Sequence, residues 1–141
     1  MGRIVVGIDG SPGSQAALRW AVAEAQLRGA SVEVITAYSM SYVAMNPEFA
    51  YQNPEALVAR VKEMQADAIA EESPGAPDVT IVPQVVPGPA AEALARAAQG
   101  AELLVVGSRG RGRVRDLLLG SVSSYVTNHA PCPVVVVRSG S

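Results

Sequence analysis

Five short runs of aliphatic and β-branched residues alternate along this chain with segments of helical periodicity. The runs are residues 3–9 (RIVVGID), 31–38 (SVEVITAY), 79–86 (VTIVPQVV), 102–107 (ELLVVG) and 134–138 (VVVVR). Runs this apolar leave neither face in water, which predicts strands of a parallel sheet with helices on both faces. Between them, residues 13–29 place Ala17, Leu18, Ala21, Val22 and Ala25 on one helical face, with Arg19, Glu24 and Arg28 pointing elsewhere. Ser11 is the expected N-cap with Pro12 at the first helical position, and Gly29 stands where a left-handed C-terminal residue belongs. A second helix is predicted over 54–72, with Leu57, Val58, Val61, Met64 and Ile69 among its apolar positions. A third runs over 89–99 between Pro89 and Gly100, and a fourth from about 117–121 to 130. Residues 39–53, with Asn-Pro at 46–47 and 53–54, lack periodicity and read as a surface loop. Pro83 marks the third strand as an edge, since proline cannot donate to a ladder. The order β-α-β-α-β-α-β-α-β predicts an α/β fold in one domain spanning 1–141, with right-handed crossovers.

Several function classes fall away at this point. The 141 residues are 49% hydrophobic and 17% charged, so the chain has the apolar content for a core and is not a disordered one. One Cys allows no internal disulfide, and one Cys with one His argues against a protein-only zinc site. Net charge −2 gives no electrostatic basis for binding nucleic acid. No apolar run approaches the ~20 residues of a membrane span. The first ten residues lack a basic head and a long apolar stretch, so a soluble, reduced, cytoplasmic protein is expected. His129 reads as a helix-end residue and Cys132 as packing, neither with a catalytic part.

In open parallel sheets, ligands bind beyond the carboxyl ends of the strands where the strand order reverses. The unusual polar residues sit at such ends: Asp9 after the first strand, and GSRGRGRVRDLLLGSVSS (107–124) after the fourth. Gly107 and Gly110 would let the backbone approach a ligand where a Cβ would obstruct. Gly120 with Ser121, Val122 and Ser123 offers backbone N–H groups and hydroxyls near a helix start, a ready anion site. Arg109, Arg111, Arg113 and Arg115 concentrate cations there, while the other seven cations are set against 13 acids. The stretch is not a P-loop, because the single lysine, Lys62, lies in a predicted helix. The turn after the first strand, Gly7 to Gly13, has the wrong spacing for a dinucleotide fingerprint.

Gly107-x2-Gly110-x9-Gly120-Ser121 is similar to the G-2x-G-9x-G(S/T) signature of the ATP-binding branch of the universal stress protein family. RIVVGIDGSPGSQAALRWA (3–21), VPGPAAEAL (86–94) and GSVSSYVTNHAPCPVVVVR (120–138) resemble that family's first strand and helix, third-strand exit, and last helix and strand. The resemblance implies a Rossmann-like five-stranded parallel sheet in order 3-2-1-4-5, with a nucleotide across the ends of strands one and four. It implies Asp9 as the acid contacting the adenosine moiety, and Ala37 and Tyr38 as adenine-contacting backbone. Val106, Gly107, Ser108, Arg109 and Gly110 would flank ribose and phosphates, and Gly120, Ser121, Val122 and Ser123 would contact phosphates. Tyr38 replaces a smaller aliphatic residue, and its ring is expected to reshape the base pocket. The resemblance further implies a homodimer through strand 134–138.

The function expected is binding of an adenine nucleotide, ATP first, as a switch or sensor in a stress response. Mg2+ or Mn2+ would bridge phosphate oxygens. No general base or water-positioning residue stands in the motif, so slow hydrolysis at most is expected. The rival is a protein-interaction module whose nucleotide pocket is vestigial. It predicts a dimer that purifies empty and ignores nucleotides.

Overall fold

Strand formation follows the period-two partition of the apolar runs between two cores. In a computed structural model describing residues 2–38, 54–109 and 119–138, strand β1 (Arg3–Gly7) sends Ile4 and Val6 to one core and Val5 to the other. Strand β4 (Leu103–Gly107) does the same, with Leu103 and Val105 on one side and Leu104 and Val106 on the other. Ile4, Val5 and Val6 are fully buried, and each such side chain removed from water contributes about 1.5–3 kcal/mol. With β2 (Ser31–Tyr38), β3 (Ile81–Pro87) and β5 (Val134–Val137) they form one sheet, every pair parallel, in the order β3-β2-β1-β4-β5. The implied topology is therefore the observed one.

Helices α1 (Pro12–Arg28), α2 (Pro54–Glu72), α3 (Ala90–Ala97) and α4 (Ser121–His129) connect the strands. Helix α1 buries Ala17, Leu18, Ala21, Val22 and Ala25 against the Ile4/Val6 core. Its small side chains let the helix lie close on the sheet. Ser11 caps it, its Oγ accepting from Ser14 N–H at 3.2 Å, and Gly29 ends it at φ 67°. Helix α2 packs beside α1, and α3 packs against α4 over the opposite face. Among the described residues, no helix is long and apolar enough to cross a membrane.

The boundaries move where partners run out. Strand β3 begins at Ile81 rather than 79, because Val79 N–H is taken by the Ala76 carbonyl in a turn. Val79 still packs its side chain on the core, which needs no ladder. Helix α3 stops at Ala97 as Gln99 and Ala101 turn back onto Arg96 and Ala98, and Gly100 takes φ 78°. Pro83 does lie on an edge strand. The surface-loop reading of 39–53 falls outside the described residues, as do Gly110, Arg111, Arg113 and Arg115.

Two polar ties were not anticipated. Buried Gln65 of α2 donates from Nε2 to the Val34 and Gln84 carbonyls and to Thr36 Oγ1, holding the helix across β2 and β3. Arg3 donates to Glu33 Oε2 at 3.2 Å, to Ala97 O at 2.8 Å and to Gln99 O at 2.6 Å, binding the end of α3 to the foot of the sheet.

Candidate functional site

The turn between β1 and α1 is built from its own short polar side chains. Asp9 Oδ1 accepts from Ser11 N–H at 2.9 Å, and Asp9 N–H donates to Ser14 Oγ at 3.2 Å. Ser14 Oγ in turn donates to the Ser11 carbonyl at 3.0 Å. Aspartate suits this position because its short carboxylate reaches the backbone two residues on. The carboxylate is thereby fixed at the carboxyl end of the central strand.

Strand β4 leaves the sheet beside this turn. A Cβ on Gly107 would fall 2.8 Å from the carbonyl carbon and oxygen of Gly13, and one on Gly13 would fall 2.6 Å from the Arg109 carbonyl oxygen. The two chain segments thus pack backbone on backbone. The bare Cα of Gly107, expected to make room for a ligand, makes room first for the protein's own main chain.

Ser108 then closes the excursion from β4 to α4. Its N–H donates to the Val137 carbonyl at 2.9 Å, and its carbonyl accepts from Gly120 N–H at 2.6 Å and from Ser123 Oγ at 2.9 Å. Ser123 Oγ also lies 3.2 Å from the Gly120 carbonyl. Ser108 and Ser123 are both buried, so together they clasp the start of α4 to the end of β4. Gly120, the N-cap, is extended and provides no side-chain cap. The first intrahelical bond is Ser124 N–H to the Gly120 carbonyl at 2.9 Å. The N–H groups of Ser121, Val122 and Ser123 therefore precede any intrahelical acceptor, with the positive end of the helix dipole among them.

Between these two segments lies a small, half-open cleft of about 70 Å3. Gly7, Ile8 and Asp9 form one side, Val106 and Gly107 the next, and Ile35 and Ala37 of β2 the far side. Ala90 and Leu94 of α3 close over it, and Val122 of α4 and Ser14 of α1 complete the lining. The lining is mainly apolar with one carboxylate, the general composition of small-molecule sites. It opens where β1 passes to β4, the point at which the strand order reverses.

The cleft thus brings together Asp9, Ala37, Val106, Gly107 and Val122. Tyr38 lies elsewhere. Its ring packs with Val85 against Leu57 and Val61 of α2 on the opposite face of the sheet, so it does not reshape the cleft. Its carbonyl accepts from Gly88 N–H at 2.9 Å. Ser108 and Ser123 are committed to the clasp, Arg109 meets Gly13 through its carbonyl, and Ser121 is exposed. Gly110 is outside the described residues. Ser14, Ile35, Ala90 and Leu94 escaped sequence reasoning. Only Ser14, three residues after the N-cap serine, carried a local signal.

The remaining reactive groups stand apart. His129, the last residue of α4, donates from Nδ1 to the Tyr125 carbonyl at 2.9 Å, and its ring stacks on Tyr125 with centroids 4.2 Å apart. Cys132 is half-buried, and that burial pushes its thiol above the ordinary range. Among the described residues, no three His, Cys, Asp or Glu side chains gather as a metal would need.

Comparison with known proteins agrees with this geometry. The profile of the universal stress protein family matches residues 1–138. Universal stress protein Rv2623 of Mycobacterium tuberculosis is 36% identical over 146 residues, covering 96% of this chain and 47% of that protein. A Thermus aquaticus universal stress protein is 36% identical over 141 residues, covering 96% of this chain and 97% of its own. The chain spans about half the length of the mycobacterial relatives it matches. A solved universal stress protein in complex with cAMP superimposes with a TM-score of 0.68 at 29% identity, covering 99% of this chain and 98% of its own.

Proposed function

Because this chain belongs to the universal stress protein family, we propose that it binds an adenine nucleotide, ATP foremost, as a switch in a stress response. The observation that carries this reading is the apolar cleft at the β1/β4 reversal, with one carboxylate at its side and an uncapped helix start beside it. The base would lie among Ile35, Ala37 and Leu94, and the ribose hydroxyls would face Asp9. The phosphates would reach toward Gly107 and the N–H groups of Ser121, Val122 and Ser123. Each such N–H on a charged oxygen contributes about 1.5–3 kcal/mol when water is excluded. Mg2+ or Mn2+ would be held through phosphate oxygens.

Ser123 enters this reading differently from the motif alone. Its hydroxyl is spent on the Ser108 carbonyl, so its contribution to phosphate would come from the backbone N–H, and the hydroxyl's part would be to hold that N–H in place.

Isothermal calorimetry with ATP, ADP, AMP and cyclic AMP, with and without Mg2+, tests the proposal. Asp9→Asn keeps an acceptor for Ser11 N–H while removing the charge, and should weaken ATP about 10–100-fold. Absence of heat at millimolar nucleotide, on protein that melts cooperatively, would refute the binding role.

A second reading has one observation in its favour. All four valines of β5 are only half-buried at the edge of the sheet, a surface that suits pairing with a second copy. A homodimer through residues 134–138 is compatible with nucleotide binding. It would stand alone as the function of an interaction module if the calorimetry were silent.

A further inference from the structure

The two edges of the sheet differ in what they can offer a partner strand. Along a strand, the N–H and C=O of successive residues point to alternate sides, so one bond at each end establishes which residues face outward. For β3, the Thr80 carbonyl accepts from Val32 N–H at 2.9 Å, and Gly88 N–H donates to the Tyr38 carbonyl at 2.9 Å. Even-numbered residues therefore face β2, and Ile81, Pro83, Val85 and Pro87 present their backbone to the open side. Every second outward position is a proline, so no two successive outward positions can both donate.

Strand β5 has the opposite arrangement. The Pro133 carbonyl accepts from Leu104 N–H at 3.0 Å, and the Val137 carbonyl accepts from Ser108 N–H at 2.9 Å. Odd-numbered residues face β4, and Val134 and Val136 present intact N–H and C=O groups outward. Pro133 falls on the inward parity, where it costs the outer edge nothing.

An edge strand is ordinarily guarded by charge, shortness, bulges or proline. Strand β3, IVPQVVP, is seven residues long and carries no charged side chain, and Val82 on it is exposed. A long, uncharged, apolar edge with complete donors is a template for aggregation. Among the described residues, the two prolines on the outward parity are the guard this strand has.

We infer that Pro83 and Pro87 cap the β3 edge against strand addition, so that a second copy of this chain can extend the sheet only at β5 and assembly stops at a pair. The stop at a pair rests on the proposed pairing through β5; the cap does not.

Light scattering coupled to size exclusion, over a wide range of protein concentration, tests both parts. Wild-type mass should level off at a pair. Pro83→Thr/Pro87→Thr should give a mass that keeps growing with concentration and reaches at least about twice the wild-type value, because pairs joined at β5 can then join one another at β3, a series that need not close. Val82→Thr, whose N–H faces β2, should behave as wild type. If the double variant does not fold, Pro87→Thr alone restores donors at two successive outward positions, 85 and 87, and carries the same expectation. A folded variant that keeps the wild-type mass at every concentration overturns the cap. A wild type that stays monomeric throughout overturns the stop at a pair. In that case the cap predicts that the variant associates although the wild type does not, and that Val136→Pro in the variant leaves this association unchanged.

Discussion

Gly107→Ala is the substitution that most directly tests how the cleft is held. The added methyl would stand 2.8 Å from the carbonyl carbon and oxygen of Gly13 and 3.3 Å from Ser14 N. The obstacle is main chain at the first turn of α1, so no side-chain rotation relieves it. Overpacking of this kind costs about 1–3 kcal/mol, and a backbone obstacle places the expectation in the upper half, about 2–3 kcal/mol. Unfolding entropy for a chain of this size is about 0.3 kcal/mol per kelvin, so the melting temperature should fall by about 7–10 °C. Gly75→Ala is the matched control. Nothing lies within 4 Å of its added Cβ and its φ is not left-handed, so it should be neutral or stabilise by up to about 1 kcal/mol through the unfolded chain. Urea unfolding followed by circular dichroism measures both. The segments forced apart also carry Asp9 and Ser14, so nucleotide affinity should fall in Gly107→Ala and not in Gly75→Ala. Equal stability of the two variants would refute the claim that Gly107 is required by contact with Gly13.

Ser123→Ala removes the hydroxyl joining the Ser108 and Gly120 carbonyls inside a buried site; it should cost about 1–2 kcal/mol by urea unfolding. Arg3→Met keeps an apolar stem but loses the bonds to Glu33, Ala97 and Gln99. A loss of about 1–2 kcal/mol is expected, with faster amide exchange at the end of α3 by mass spectrometry. Burial holds the Cys132 thiol above its ordinary value, outweighing the opposite pull of Arg3. Iodoacetamide should therefore alkylate it more slowly than a free thiol at the same pH. Because the folded state keeps that proton longer than the unfolded state does, this group's contribution to stability is complete below the free-thiol pKa. It declines as pH rises through the raised one, which Cys132→Ser should abolish in a stability profile on the alkaline side.

Much of the architecture could be read before any coordinates, because its causes are local. Ser11 and Gly29 mark the ends of α1 through contacts within a few residues. The apolar runs announce strands buried on both faces, and Pro83 announces an edge. Cleft-lining positions were legible where they sit at strand ends, as with Asp9, Val106 and Gly107. The direction of a side chain was not legible where the deciding contact is remote. Tyr38 and Ala37 are adjacent in sequence and point to opposite faces of β2, and only the placement of α2 and α3 assigns one to a helix core and the other to the cleft.

Composition, periodicity and turn chemistry alone thus determined an α/β chain with its polar oddities gathered at strand ends, since each of those signals acts over one turn or one strand. Tertiary structure alone decided what the signals were for. It set Gly107 against Gly13, turned the Ser123 hydroxyl inward to Ser108, and placed Pro83 and Pro87 on the outward side of β3. Those outcomes depend on which distant segments share a surface and in which register. No short-range preference encodes that.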